Sequence, residues 1–200
     1  APLELDPATA ASAADVVVIT TGDSDITTVV DNILSSDISL EGRVFLHCSG
    51  ILPSDVLAPL RLRGASIGSL HPLQTFALPP PPPAIFHRTT FYFEGDKGAR
   101  SAAQRLVKRL GSSMRLLRPG DKVLYHAAAV MVSNYQVALF DAALNLLRLC
   151  GFRRAEGRKM LSPLAARTTR NRFQTALAAK DRRRCSTETS SFGCSSSILT

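Results

Sequence analysis

The sequence predicts an α/β fold in which a mostly parallel sheet leads into a helical domain built on one long helix. Short apolar runs rich in β-branched residues alternate with helical segments of about 10 to 14 residues, a pattern that favours βαβ units. A helical pattern without Gly or Pro then extends from Lys122 to Leu149, between Gly120 and Gly151. With 45% hydrophobic and 20% charged residues, the chain can build a folded core.

The predicted strands precede the long helix and are separated by shorter helices. Short runs between the helical segments predict strands at 15–20, 43–48, 65–70, 90–95 and 114–118. Asp6 followed by Pro7 is typical of the start of a short Ala-rich helix. Further helices are predicted at 26–35, 53–63, 97–110, 154–166 and 168–179.

The long helix carries a polar stripe on an otherwise apolar surface. At about 100° per residue, six polar side chains fall within a stripe roughly 140° wide: Lys122, His126, Ser133, Asn134, Asp141 and Asn145. Such a stripe is typical either of a cleft wall or of a solvent-facing edge. Polar residues in the middle of the helix predict that it does not span a membrane. Its large apolar surface predicts a homodimer formed through the helical domain.

Charge and cysteine content narrow the class of protein. The four cysteines have neither disulfide nor metal-site spacing, so a reducing cytoplasm is expected and no metal site is predicted: Cys48, Cys150, Cys185 and Cys194. The net charge is +8, and many of the 24 Lys and Arg residues lie in 153–184. This concentration indicates either an anionic partner or a solvated basic face. No nucleic-acid motif accompanies it, so nucleic-acid binding is not expected.

Two segments have biased composition. The prolines at 79–83 predict a polyproline II segment, which serves either as a stiff surface insertion or as a ligand for an SH3-like domain. The Ser-rich segment 180–200 has no hydrophobic period and is predicted to be disordered.

Three loops are expected to hold ligand-binding residues, because ligands of parallel sheets bind where the strands end. They follow the first three predicted strands, at 20–25, 47–50 and 71–76. The second loop reads HCSG. Neighbouring strand residues point to opposite faces, which disfavours a metal site at His47 and Cys48, and the loop lacks the G-x-S-x-G pattern of a hydrolase. A turn that offers donors to a cofactor or a substrate fits this position best.

Three segments resemble a family of Rossmann-like oxidoreductases: ADVVVITTGDSDI, GRVFLHCSGILPSDVLAPLRLRGASIGSLHPLQTF and DKVLYHAAAVMVSNYQVAL. Members pair a nicotinamide-binding domain with a C-terminal helical domain of unknown function. The family is similar to the 6-phosphogluconate dehydrogenase superfamily, which includes pyrroline-5-carboxylate reductase and prephenate dehydrogenase. The resemblance implies an incomplete Rossmann-like nucleotide-binding domain at 1–118, a helical substrate and dimerisation domain at 119–179, and a tail at 180–200.

The resemblance also implies which residues form the site. The ribose and nicotinamide of NAD or NADP would contact the first two loops, at Thr20, Thr21, Asp23, His47, Ser49 and Gly50. Substrate would bind at His71 and Ser133. In related hydroxyacid dehydrogenases, a Lys and an Asn four residues apart orient the substrate and move its proton. Lys122 and His126 have this spacing, so Lys122 is the expected proton donor, and His126 or Asn134 would fix the carbonyl.

The chain departs from the family pattern at both ends. It contains no G-x-G turn, which normally seats the pyrophosphate on a helix N-terminus, and Gly22 stands where relatives carry Pro. ALAAKDRRRCSTETSS replaces the expected T-G-P-x-x-R-G-D segment. The chain is therefore interpreted as an N-terminally truncated fragment of an NAD(P)-dependent oxidoreductase with an altered C-terminus and an unidentified small-molecule substrate. The alternative is a non-catalytic binding or dimerisation module that keeps the fold without hydride transfer.

Overall fold

The computed structural model describes residues 6–76 and 82–188, with side chains described up to residue 171. The chain divides into two compact units, Ala1–Ser133 and Asn134–Thr200. The sequence places a domain boundary after residue 118, whereas the contacts of the structure keep residues 119–133 with the sheet. Most of the predicted polyproline run and the end of the predicted disordered tail lie outside the described residues, at 77–81 and 189–200.

The first unit contains a five-stranded sheet whose strands lie side by side in chain order. The strands are β1 (Val16–Ile19), β2 (Val44–His47), β3 (Ser66–Pro72), β4 (Thr90–Gly95) and β5 (Ser113–Leu116). The first three strands are parallel, β4 pairs antiparallel with β3, and β5 is parallel to β4. The prediction of a mostly parallel sheet in an α/β fold is confirmed.

Helices cover the sheet on both faces. In the described part of the first unit they are α1 (Pro7–Ser12), α2 (Ile26–Leu34), α3 (Ala58–Arg61), α4 (Lys97–Arg109) and α5 (Lys122–Val132). The Asp6 carboxylate accepts the backbone N–H groups of Ala8 and Thr9, which caps α1 as predicted. The helix predicted at 53–63 is shorter, because its first turn is a 3-10 turn at Ser54–Leu57.

Two apolar clusters lie on opposite faces of the sheet, since successive strand residues point to opposite sides. Phe45 and Ile67 pack against α1, α2 and α3 in one cluster. Leu46, Leu70 and Phe93 pack against α4 in the other. On the first face, the side chains near the carboxyl ends of β2 and β3 are polar instead of apolar. The candidate site lies at these polar side chains.

The second unit is helical in its described part, with α6 (Asn134–Leu149) and α7 (Arg154–Glu188) joined by a turn. Gly151 adopts φ +88°, a conformation that suits Gly at the end of a helix. The sequence predicts two helices at 154–166 and 168–179, but the structure has the single helix α7. No Gly or Pro stands between the two predicted segments, so the helix propagates through Arg167. Residues 180–188, predicted to be disordered, are also helical.

The predicted helix from Lys122 to Leu149 is present but interrupted at Ser133, between α5 and α6. The Ser133 hydroxyl donates to the Ala129 carbonyl at 2.8 Å, a local hydrogen bond that often accompanies a bend. By length and composition alone, Pro119–Leu149 could cross a membrane, and 6% of its most apolar stretch is buried. However, the first turn of α5 is fixed to the sheet by the ion pair between Lys122 and Glu94.

Candidate active site

A row of polar side chains crosses the sheet on one face, level with the end of β2. The strand register pairs His47 with Ser69 and Ser69 with Glu94, so these three side chains lie next to one another. All three residues are buried. The amine of Lys122 from α5 lies over this row, and together these groups form the centre of the candidate site.

His47 holds the turn that follows β2. Its Nε2 lies 3.2 Å from the Pro53 carbonyl, which can only accept, and its Nδ1 accepts the Ser49 backbone N–H at 3.2 Å. These partners require a neutral imidazole with its hydrogen on Nε2. Burial, and next the charge of Lys122, lower the pKa of His47 to about 4, which is consistent with that tautomer. The predicted cofactor contact would have to replace one of these hydrogen bonds, so the geometry gives His47 a supporting role.

Ser49 and Gly50 form a close turn beside two histidines. The Ser49 hydroxyl oxygen accepts the backbone N–H groups of Ile51 and Leu52 at 3.2 and 3.0 Å. A Cβ atom at Gly50 would lie 2.6 Å from His126 Nδ1 and 2.9 Å from His71 Nε2. A side chain at this position would therefore displace at least one of the two rings, because both distances are shorter than real Cβ contacts.

Lys122 is the first residue of α5 and is 3% exposed. Its ammonium donates a short hydrogen bond to the Ser69 hydroxyl and lies 3.7 Å from the Glu94 carboxylate. Burial lowers the pKa of Lys122 to about 8, against the raising effect of Glu94. An amine in this range changes its charge near neutral pH and can exchange a proton with a ligand.

Glu94 was not predicted from the sequence. Its carboxylate accepts the Ser54 backbone N–H at 2.5 Å and the Ser54 hydroxyl at 2.6 Å. The available signal was an acidic residue inside the apolar run TFYFEG, where a buried strand rarely carries a charge without a partner. The identity of that partner depends on contacts between residues far apart in the chain, which the run itself does not reveal.

His71, the predicted substrate-binding residue, lies in β3 two residues beyond Ser69. Its Nδ1 is 2.7 Å from the Tyr125 hydroxyl, and the Tyr125 ring packs on Tyr92 with a centroid distance of 4.4 Å. Burial lowers the pKa of His71 to about 4, with smaller contributions from Lys122 and His126, so His71 is neutral at pH 7. The two tyrosines therefore orient an uncharged imidazole at the carboxyl end of β3.

His126 lies beside His71, as the cleft interpretation requires. The two ring centroids are 6.4 Å apart and the rings are nearly perpendicular. His126 Nδ1 is buried and is the one such side-chain atom among the described residues that has no hydrogen-bond partner. A buried polar atom without a partner is costly, so this nitrogen is a natural position for a ligand atom.

The remaining cofactor residues lie at the end of β1. Thr20, Thr21 and Asp23 are exposed in the loop that leads into α2. The loops after β1 and β2 are neighbours, because the Cys48 backbone N–H donates to the Ile19 carbonyl at 3.1 Å. Exposed hydroxyl and carboxylate groups at adjacent strand ends fit the sugar and nicotinamide end of a dinucleotide.

The residues of the polar stripe are divided between the two units. Lys122 and His126 face the sheet, and the Ser133 hydroxyl bonds within its own helix. Asp141 belongs to the second unit, where it forms a 2.6 Å ion pair with Arg154 of α7. Asn134 is the first residue of that unit, and its proposed role near His71 stays a prediction. Among the described residues, no cluster of three metal-ligating side chains occurs.

Two family models match separate segments of the chain. Residues 3–72 match a Rossmann-like domain, and residues 89–180 match a domain of unknown function, DUF2520. The chain thus combines a segment similar to a Rossmann-like domain with a segment similar to a DUF2520 domain. The first match contains Ser49, Ser69 and His71, and the second contains Glu94 and Lys122, so both matched segments contribute to the candidate site. No curated protein matches the chain in sequence.

Solved structures with the same fold include reductases. The structure is similar to a Thermotoga maritima protein, with 22% identity and a TM-score of 0.59 over 84% of this chain and 68% of that one. A Streptomyces aurantiacus imine reductase has 18% identity and a TM-score of 0.64, over 92% of this chain and 63% of the reductase. A Plasmodium falciparum pyrroline carboxylate reductase with NADP bound has 14% identity and a TM-score of 0.58, over 86% of this chain and 61% of the reductase. The chain spans less than two thirds of both reductases, and these similarities establish the fold.

Proposed function

We propose that this chain forms part of an NADP-dependent oxidoreductase that acts on a small molecule with a carbonyl or imine group. The observation that carries the proposal is the position of Lys122, whose amine lies at the carboxyl edge of a Rossmann-like sheet beside Ser69. The imine reductase and the NADP-bound pyrroline carboxylate reductase share this fold, which supports NADP as the cofactor.

The residues at the ends of β1 and β2 fit the ribose and nicotinamide end of such a cofactor. Thr20, Thr21 and Asp23 offer exposed hydrogen-bonding groups at the end of β1. A bound nicotinamide cofactor supplies or accepts a hydride, and the protein positions the substrate and handles the proton.

Lys122 would provide the proton. Since its pKa is about 8, Nζ is mostly protonated at pH 7, and its loss of a proton to a developing alkoxide or amine is not strongly uphill. The Ser69 hydroxyl accepts a hydrogen bond from the same ammonium and fixes its direction. Lys122 therefore has both a suitable protonation state and a fixed position.

His71 and His126 would bind the polar atom of the substrate. His71 is neutral at pH 7, and Tyr125 fixes the ring through Nδ1, so Nε2 is left to face Gly50. The partnerless Nδ1 of His126 faces the same glycine. Two imidazole nitrogens that lie close together can orient a carbonyl or imine group.

Turnover tests this function in a version of the chain extended by a strand and a G-x-G-x-x-G turn. NADPH oxidation is measured with a panel of small ketones and imines. Lys122→Met is expected to lower turnover by roughly 10²–10⁴ while NADPH affinity is kept, because a general acid is lost. Arg118→Met is the control, since this exposed cation pairs with Asp121 outside the site. An extended chain without NADPH affinity would contradict the proposal.

The chain as it stands is expected to bind NADPH far more weakly than the extended version. The backbone amides of a glycine turn normally hold the pyrophosphate at a helix N-terminus, and this sequence has no G-x-G. Calorimetric titration of both proteins checks this, and micromolar affinity for the unextended chain would refute it.

We also propose that the chain forms a homodimer through its helical region. The side of α5 that faces away from the sheet exposes Val123, Leu124, Met131 and Val132. A second copy of this face would remove that apolar surface from water. Leu124→Glu should convert a dimer into a monomer in light scattering, whereas Leu62→Glu, at another exposed leucine, should not. A wild-type monomer at high concentration would exclude the dimer, and co-flotation with vesicles would point to a membrane instead.

A further inference from the structure

Glu94 lies in a buried part of the sheet, where acidic side chains are rare. It is 4% exposed in the central part of the sheet, and its neighbours Phe91 and Phe93 are core residues. Its carboxylate is held from one side by the backbone N–H and the hydroxyl of Ser54 and faces Lys122 Nζ on the other. These two donors fix the carboxylate where it lies against the amine.

Among the charged groups that face Lys122, Glu94 raises the pKa of the amine most. Asp23 in the loop after β1 also raises the pKa of the amine, with a smaller effect, and Cys48 after β2 contributes least. His47 and His71 have pKa values of about 4 and are neutral at pH 7. The balance of charge at the amine is therefore set mainly by burial on one side and by Glu94 on the other.

We propose that Glu94, anchored on Ser54, is a positioning residue that holds the Lys122 ammonium against Ser69 and keeps it protonated at neutral pH. The part of this inference that concerns proton transfer rests on the proposed function of Lys122. The part that concerns the protonation of Lys122 does not depend on cofactor, substrate or turnover. A purely structural role for Glu94 would affect stability but would leave the titration of Lys122 in place.

The pKa of Lys122 tests the inference directly. It is measured in the chain as it stands, by NMR titration of lysine labelled at Cε and Nζ, with Lys122 assigned from Lys122→Met. Glu94→Gln removes the negative charge with little change of shape and is expected to lower the pKa of Lys122 by about 1–3 units. Asp23→Asn should lower the pKa of Lys122 by less, because Asp23 raises that pKa less than Glu94 does. Asp55→Asn, whose exposed carboxylate pairs with Arg61, should leave it unchanged.

A second variant covers the case in which Glu94→Gln does not fold. Glu94→Asp keeps the charge but is too short to contact both Ser54 and Lys122, so the pKa of Lys122 should fall by less than in Glu94→Gln. An unchanged pKa in the folded variants overturns the inference. In the extended enzyme, the alkaline limit of the pH–rate profile of Glu94→Gln should move to lower pH by the same shift. A pKa shift without any turnover in the wild type would support the role of Glu94 and contradict the proposed function.

Discussion

The two sides of α5 differ in a way that is opposite to most surface helices. The side that faces the sheet carries Lys122, Tyr125 and His126, all of them polar and at least partly buried. The opposite side carries Val123 and Leu124, which are 63% and 74% exposed. An ordinary amphipathic helix buries its apolar side and exposes its polar one.

This difference indicates what each side does. Burying polar groups costs free energy unless they are paired, and here Glu94, Ser69 and His71 supply most of the partners. The side that faces the sheet therefore holds the residues of the proposed site. The opposite side leaves apolar surface in contact with water, which is unfavourable. This surface is suited to contact with a second copy.

The largest loss of stability is expected when Lys122, the charged residue on the side of α5 that faces the sheet, is replaced by an uncharged residue. Lys122→Met leaves the Glu94 carboxylate buried without its counter-ion, which should cost about 3–5 kcal/mol of unfolding free energy. Leu124→Ala, on the opposite side of the same helix, should cost less than about 0.5 kcal/mol in the monomer. Urea denaturation followed by circular dichroism measures both. Equal effects from the two variants would remove the distinction between the sides.

The double variant sharpens this test. Lys122→Met combined with Glu94→Gln removes both charges, so it should be more stable than Lys122→Met alone. An additive loss would show that the two side chains do not interact.

The next largest effect is the pH dependence of the unfolding free energy that His47 should produce. The pKa of His47 is about 4 in the folded chain instead of its ordinary value of 6.5. Between these pH values the unfolded chain binds a proton that the folded chain does not. The unfolding free energy should therefore fall as pH drops from 6.5 towards 4, by about 1.4 kcal/mol per pH unit for this residue.

His47→Gln should remove that part of the slope, and His87→Gln should leave it in place because His87 is exposed. Denaturation at several pH values provides the comparison. A slope that is insensitive to His47→Gln would show that this ring is not held neutral by the fold.

A smaller effect is expected where the polar side of α5 meets the turn after β2. Gly50→Ala places a methyl group 2.6 Å from His126 Nδ1, which should displace that ring and cost about 1–3 kcal/mol. Gly120→Ala is the matched control, because nothing lies within 4 Å of a Cβ atom there. Thermal unfolding and the histidine NMR signals together measure the effect. A neutral Gly50→Ala would mean that the two histidines are not close to this turn.

The sequence was sufficient for the features that depend on local patterns. β-branched runs between helices predict the strands, and the parallel pairing brings the loops at His47 and His71 to one edge. The polar spacing of Lys122 and His126 predicts two side chains on one side of a helix, and both face the sheet. These features follow from periods of two and 3.6 residues, which a single sequence displays.

The features that depend on distant contacts could not be predicted in this way. The pairing of Glu94 with Lys122 and Ser54 joins residues that are 28 and 40 positions apart and lie on three different elements. The polar stripe allowed either a cleft wall or a solvent edge, because the pattern on a helix does not show what its polar side contacts. The break at Ser133 had no Gly or Pro to mark it, since a side-chain hydrogen bond accompanies it instead.

We propose that the nicotinamide cofactor binds at the carboxyl edge of the sheet, beside the polar side of α5. The most direct measurement is a titration of NADPH, to millimolar concentration, into the chain with labelled histidine and threonine, followed by NMR. The signals of His71, His126, Thr20 and Thr21 should shift together along one binding curve, and those of His87 should stay in place. Shifts confined to His87, or none at all, would contradict the claim.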